Sequence, residues 1–346
     1  MEIIKNRKIP FTISGILFVV SVIALFLFGL KPGIDFTGGA LMEVRFGNER
    51  PEISEVQLAL SEMNLGEVLI QPTGEDNMIL KMRFVSEEEH QAILGVLREK
   101  FQNSTEEIID EDIISEDTVE DVVGGDTNKE EINFELPTIE TEEVIDKPII
   151  QVPDVLEERF ETIGAAISSH LRERSMYAAV AVVLAIILYI GYTFRKVSKP
   201  VQSWKYGVTA IIALFHDVII TMAVFAVLGH YAGVEVGISF VVALLTIMGY
   251  SVNDTIVVFD RIRENLIKRG SDQFDETVNM GVKQSITRSL NTSLTTLLVL
   301  VALFVFGGES IHYFSLTLIV GIVVGTYSSI FLASPLLVEW ANYKKR

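Results

Sequence analysis

Three charged residues lie in stretches otherwise apolar enough for a lipid bilayer. Asp217 falls in 206–228, Asp254 in 236–259, and Arg288 opens 287–308. An ionisable group at the bilayer centre costs at least ~2.5–3.5 kcal/mol on insertion scales, so it is kept for an ion path, a proton relay or a specific pair. Asp254 stands five residues before Phe259, about 7–8 Å inside its segment at a rise of ~1.5 Å per residue. Arg288 stands near the same end of its own segment, so the depths match and the two can pair. Asp217 follows His216 near the middle of its segment, one turn from Thr221.

The residues around these three widen the polar set. Asn253 neighbours Asp254. Arg288, Thr292 and Thr295 share a helix face at i, i+4 and i+7, with Asn291 beside them. Such hydroxyls carry water or bridge helices, and the plainer reading is ordinary helix-packing glue. His216 reads as an interior polar contact rather than a metal ligand. Gly321 and Gly325 form a G-x-x-x-G pattern, a packing device.

Enzyme chemistry finds little support. An intramembrane aspartyl protease needs a close carboxylate dyad sharing one proton, and here Asn253 precedes Asp254 and a basic partner is at hand. The chain has no P-loop, nucleotide fingerprint or H-E-x-x-H. Without cysteine, disulfides, thiol catalysis and Cys-ligated zinc are excluded. No cofactor or metal is expected.

Six segments reach the roughly 20 residues needed to span ~30 Å of hydrocarbon: 11–30, 176–194, 206–228, 236–259, 287–308 and 311–338. The first is long for a signal peptide, lacks a small-x-small cleavage site and runs into Lys31-Pro32, so it reads as a retained helix. Charge is segregated. Residues 31–175 carry 35 acids and 12 bases, and the remainder 11 acids and 16 bases. That acidity argues against nucleic acid as a partner. Lys and Arg crowd 195–205, 260–286 and the tail at Lys344, Lys345 and Arg346, whereas 229–235 and 309–310 have none. The positive-inside rule therefore puts both termini in the cytoplasm and 31–175 outside.

The outer region divides in two. From Ala40 to Phe101 the pattern reads strand 41–46, helix 53–64 with Ser54 as N-cap, strands 68–71 and 78–84 joined by a turn at 73–77, and helix 86–101. Ser86 and Glu89 make a capping box for that last helix. This is β-α-β-β-α, a ferredoxin-like unit short of one strand, which 159–163 can supply. Residues 103–147 hold 17 acids against two bases and read as a loosely structured, solvated insertion. Ile149–Val152 is a candidate edge strand.

Several strings then resemble one family. Gly33-Ile34-Asp35-Phe36-Thr37-Gly38-Gly39 looks like the signature turn of the SecD/SecF translocase subunits. Phe215-His216-Asp217, the run from Gly249 to Asn265 and the run from Ser285 to Ser293 look like the SecF side of that family. The order and spacing fit over nearly the whole chain outside the acidic insertion. A Val-Gly-Pro turn usual in the family stands here as Ile163-Gly164-Ala165. The resemblance implies a six-helix half of an RND-like bundle in the inner membrane, pairing with SecD and associating with the SecYEG channel and YajC. It implies an accessory role in preprotein export driven by the proton-motive force. Asp254 and Arg288 would be the proton-path pair and Asp217 a further member; Asp35, Phe36, Gly38 and Gly39 would form the signature turn. An RND-type exporter of lipids or small molecules is the alternative reading.

Overall fold

A computed structural model describes residues 3–47, 50–101, 155–193, 202–270 and 273–343. The expectations for 103–147, for Ile149–Val152, for most of the 195–205 loop and for the basic tail lie outside the described residues. The chain forms two compact units, one of residues 1–40 and 161–346 and one of residues 41–160.

The helical unit is built from α1 (Lys8–Phe28), a single-turn α2 (Ile34–Thr37), α5 (Ala165–Thr193), α6 (Ser203–Ala232), α7 (Ile238–Arg269), α8 (Phe274–Phe306), α9 (Glu309–Ser328) and α10 (Ser334–Tyr343). Among the described residues, six helices are long and apolar enough to cross a membrane. They overrun the expected spans, because polar residues with good helix propensity continue the turns beyond the lipid-compatible stretch. The basic segment 260–286 is therefore the paired ends of α7 and α8 rather than a loop, with a short break after Gly270. Gly281 makes that pairing close. A Cβ on it would lie 2.9 Å from the Ile262 Cα.

The last span is not one continuous α-helix. A π-turn at Ser329–Ala333 separates α9 from α10. Pro335 explains it, since proline lacks the N–H that would bond the carbonyl four residues back and its ring crowds that carbonyl. The wider turn accommodates both, and Ser334 Oγ bonds the Ser329 carbonyl at 3.2 Å. Tyr206, Phe259, Ile262, Val278 and Leu337 form the buried centre between α6, α7, α8 and α10.

The second unit follows the expected β-α-β-β-α order and gains its last strand. It comprises β1 (Gly39–Phe46), α3 (Ile53–Leu60), β2 (Leu69–Thr73), β3 (Asn77–Met82), α4 (Glu87–Phe101) and β4 (Val155–Ile163). The sheet order is β2-β3-β1-β4, the arrangement of a ferredoxin-like split βαβ unit. Alternate residues Met42, Val44 and Phe46 of β1 and Met78, Leu80 and Met82 of β3 are buried, as are Val56, Leu60, Ile93, Leu94 and Leu97 of the helices. β2 and β3 run antiparallel from the Thr73–Asn77 pair, and Gly74 takes the left-handed conformation their turn needs (φ 55°). The α4 capping box is present, with Glu89 N–H on Ser86 Oγ at 3.3 Å and Ser86 N–H on Glu89 Oε2 at 2.9 Å. The cap of α3 differs from expectation: Glu52 takes that place in a box with Glu55. Ser54 instead donates to Glu52 Oε2 at 3.2 Å.

Candidate functional site

The two aspartates sit at the centre of the helical unit, each held by serines from other helices. Asp217 on α6 is fully buried. Its Oδ2 accepts from Ser251 Oγ of α7 at 2.6 Å and from Ser328 Oγ of α9 at 2.7 Å. Its Oδ1 lies 3.0 Å from His216 Nδ1. Asp254, one turn beyond Ser251 on α7, accepts from Ser289 Oγ of α8 at 2.6 Å and from Ser329 Oγ of the π-turn. A third contact set lies beside these: Ser293 Oγ of α8 is 2.5 Å from Thr326 Oγ1 and accepts from the Tyr250 hydroxyl at 3.2 Å. Asp254 is thus met by neutral hydroxyls on both oxygens, and Asp217 by two hydroxyls on Oδ2 and the His216 ring on Oδ1.

Small residues allow this. A Cβ on Gly325 would meet the Ser251 Cβ at 3.1 Å, and one on Gly321 would run into the Ile247 side chain. The G-x-x-x-G stripe therefore lets α9 lie against α7, which sets Ser328 at the depth of Ser251. On α8, Ser285, Ser289 and Ser293 are buried every fourth residue, a small-residue stripe of the kind that brings membrane helices together.

The other side of α8 carries the residues singled out by pattern. Arg288, Asn291, Thr292 and Thr295 are exposed in this chain. Thr292 and Thr295 turn their hydroxyls back to the carbonyls of Arg288 and Asn291, both at 3.0 Å, instead of bridging helices. Among the described residues Arg288 makes no ion pair with Asp254. It stands next in sequence to Ser289, the residue that does bond Asp254. Asn253 is likewise exposed, on the side of α7 away from the serines. Ser251, Ser289, Ser328 and Ser329 were not legible as partners of the aspartates. The four-residue spacing from Gly281 through Ser285 and Ser289 to Ser293 was the signal available.

The signature turn is a joint. Asp35 Oδ2 accepts the backbone N–H of Ile238 at 2.7 Å and so caps the start of α7, whose own preceding residue is Gly237. Val236 N–H bonds the Lys31 carbonyl at 2.8 Å, and Gly33 N–H bonds the Val236 carbonyl at 2.9 Å. Phe36 lies in the single helical turn α2. Gly38 and Gly39 have φ of 74° and 132°, backbone that side-chain-bearing residues rarely adopt. A Cβ on Gly38 would meet the Ile163 carbonyl and Ser168 Oγ, each at 3.3 Å.

Residues 147–343 match the model of the family described as protein export membrane protein SecD/SecF, C-terminal, and residues 23–49 match the SecD/SecF GG motif. A protein translocase subunit SecF from Thermobaculum terrenum is 37% identical over 343 residues, covering 99% of this chain and 94% of the relative. The chain belongs to the SecF family. Another SecF relative, from Desulfurispirillum indicum, is also 37% identical, over 97% of this chain and 90% of its own. The crystal structure of SecDF, a translocon-associated membrane protein from Thermus thermophilus, superposes with a TM-score of 0.71 at 27% identity. That match covers 99% of this chain but only 39% of the SecDF chain. Within the SecF family frame, the GG motif is the α7-capping joint, and the six apolar helices make this a multi-pass membrane protein.

Proposed function

We propose that this SecF-family chain is an accessory subunit of the Sec translocase that works with a SecD partner to harness the proton-motive force for preprotein export through SecYEG. YajC belongs to the same proposed assembly. The chain lies in the inner membrane with both termini cytoplasmic and its sheet domain outside, as the Lys and Arg distribution indicates.

One observation carries this reading. Asp254 is buried among serines of two neighbouring helices, while the adjacent face of α8 holds Arg288 exposed and unpaired among the described residues. A guanidinium facing lipid is costly unless it reaches the interface or finds a partner. A second helix bundle that covers α8 and offers a carboxylate would remove that cost, and a SecD half suits the role. Protonating Asp254 turns one of its oxygens from acceptor into donor. One serine must then turn to accept and the other bonds a neutral oxygen, which weakens the tie of α7 to α8 and to the π-turn. Because Asp35 ties the start of α7 to the turn leading into the sheet domain, a shift of α7 is transmitted outward. Each proton crossing 100 mV supplies ~2.3 kcal/mol, comparable with the hydrogen bonds that must change.

The test is Asp254→Asn, nearly equal in volume and without a titrating group. Export in inverted membrane vesicles should lose its dependence on the proton gradient while complex assembly persists. Retention of that dependence contradicts the reading. An RND-type exporter of lipids or small molecules predicts instead that loss of the chain leaves preprotein export intact.

A further inference from the structure

An open groove of about 530 Å³ with a mostly apolar lining lies between α1 and α6, formed by Phe11, Ser14, Gly15 and Phe18 of α1 and by Phe215 and His216 of α6 among others. His216 is 4% exposed. Its Nδ1 faces Asp217, and its Nε2 is buried with no hydrogen-bond partner among the described residues. A buried polar atom without a partner is unusual and calls for one. Neutral imidazole has one donor and one acceptor nitrogen. With Nδ1–H given to the Asp217 carboxylate, Nε2 is left as a lone-pair acceptor on a residue that lines the groove. The volume far exceeds the ~30 Å³ that one water takes in the liquid, and Ser14 beside the groove is buried with its hydroxyl 3.4 Å from that of Tyr327.

We propose, resting on the proton-coupled reading above, that this groove admits water and that His216 is the port through which protons reach the buried carboxylates. When the His216 ring turns so that its buried Nε2 meets the groove, a hydronium ion there gives its proton to Nε2, leaving water. The resulting imidazolium passes its Nδ1 proton to Asp217 Oδ1, which leaves neutral imidazole and a protonated acid. Asp217 then loses its charge, so the bonds from Ser251 and Ser328 to its Oδ2 weaken to those of a neutral acid. Ser328 is bonded in sequence to Ser329, the donor to Asp254, so the start of the π-turn joins the two carboxylates through adjacent residues. π-Turns are frequent at functional sites, where they change register at small cost. Among the described side chains packed around His216, Asp217 is the ionisable group that bonds it. Phe18 of α1 stacks on the His216 ring and Ser14 lines the same groove beside Tyr327, while Ser251 of α7 and Ser328 of α9 bond its neighbour Asp217.

Two measurements on the full chain in its membrane complex test this. The natural chain has no cysteine, and a side chain at Gly15 meets nothing within 4 Å. The thiolate attacks a methanethiosulfonate reagent and displaces methanesulfinate, so a one-unit difference in thiol pKa is about a tenfold difference in rate. Gly15→Cys should react at least that much faster than Val20→Cys, which lies on the same helix at 56% exposure. Equal slow rates mean a dry groove and overturn the proposal. In parallel, His216→Asn keeps a donor near the place of Nδ1 but has no second ring nitrogen. Proton-driven export should fall about a hundredfold, the low side of the usual acid–base contribution, with the complex still assembled. Full export with His216→Asn overturns the relay. If that variant fails to assemble, the cysteine rates decide alone. Asp254→Asn serves as the reference: if it keeps proton-driven export, the underlying reading fails. If it loses export while His216→Asn does not, only the port assignment fails.

Discussion

Removing the Ser289 hydroxyl tests whether Asp254 is held as the geometry implies. Ser289 Oγ lies 2.6 Å from Asp254 Oδ1, and both residues are buried. A hydrogen bond to a charged group contributes ~1.5–3 kcal/mol, against ~0.5–1.5 kcal/mol between neutral groups. Neutral interhelical bonds in membranes average only about 0.6 kcal/mol. Ser289→Ala should therefore destabilise the chain by roughly 1.5–3 kcal/mol, since it strips a donor from a largely buried carboxylate. Ser293→Ala, which breaks the hydroxyl pair with Thr326 at 2.5 Å, should cost about 0.6 kcal/mol by the membrane average. In the Asp254→Asn background the Ser289→Ala cost should shrink toward that neutral value, giving a coupling of about 1–2 kcal/mol. The assay is equilibrium unfolding of the four variants of the cycle in mixed micelles. Additivity within about 0.5 kcal/mol, or equal costs at Ser289 and Ser293, would refute the claim that the serine donors hold the carboxylate.

Other sites give their own readouts. Gly321→Leu should separate α9 from α7, because Ile247 already fills the space and is buried; overpacking costs about 1–3 kcal/mol, and crosslinking between α7 and α9 should weaken. Asp35→Ala should cost about 0.5–2 kcal/mol, the usual range for a lost helix cap, and raise amide exchange at Ile238. In the sheet domain, hydrogen bonds from Arg83 and the Ser86 N–H hold the Glu89 carboxyl below the usual carboxylate range. Its stabilising effect is present above the unfolded-state pKa and is lost as pH falls through the lowered folded-state value. Amide exchange in the first turn of α4 should accordingly rise on acidification, and Arg83→Met should move that rise to higher pH.

Much of the architecture was legible because two periods are written plainly in the chain. Apolar runs of spanning length gave six helices, and alternation gave β1 and β3. The full extents were not legible, since polar helix ends such as 260–269 carry no apolar signature; tertiary pairing around Gly281 orders them. The α3 cap was misread because Ser54 has the usual capping chemistry, while Glu52 and Glu55 satisfy each other's first-turn amides. At the site, charge drew attention to Asp217, Asp254 and Arg288, and the aspartates do lie at the buried centre. Charge alone also suggested a direct Asp254–Arg288 pair. The chain satisfies Asp254 with serines, which are common in any membrane helix and stand out only by their four-residue spacing. The π-turn was encoded in Pro335, a residue whose effect on the preceding carbonyls is local and readable.

The central claim is that Asp254 takes up a proton and weakens its serine bonds. Infrared difference spectroscopy of the complex in lipid, recorded as pH is lowered on one side, reads carboxyl protonation directly. The account predicts a protonated-carboxyl band that Asp254→Asn abolishes and Ser289→Ala shifts in frequency. A band unchanged in Asp254→Asn, or none in the unmodified complex, would contradict it.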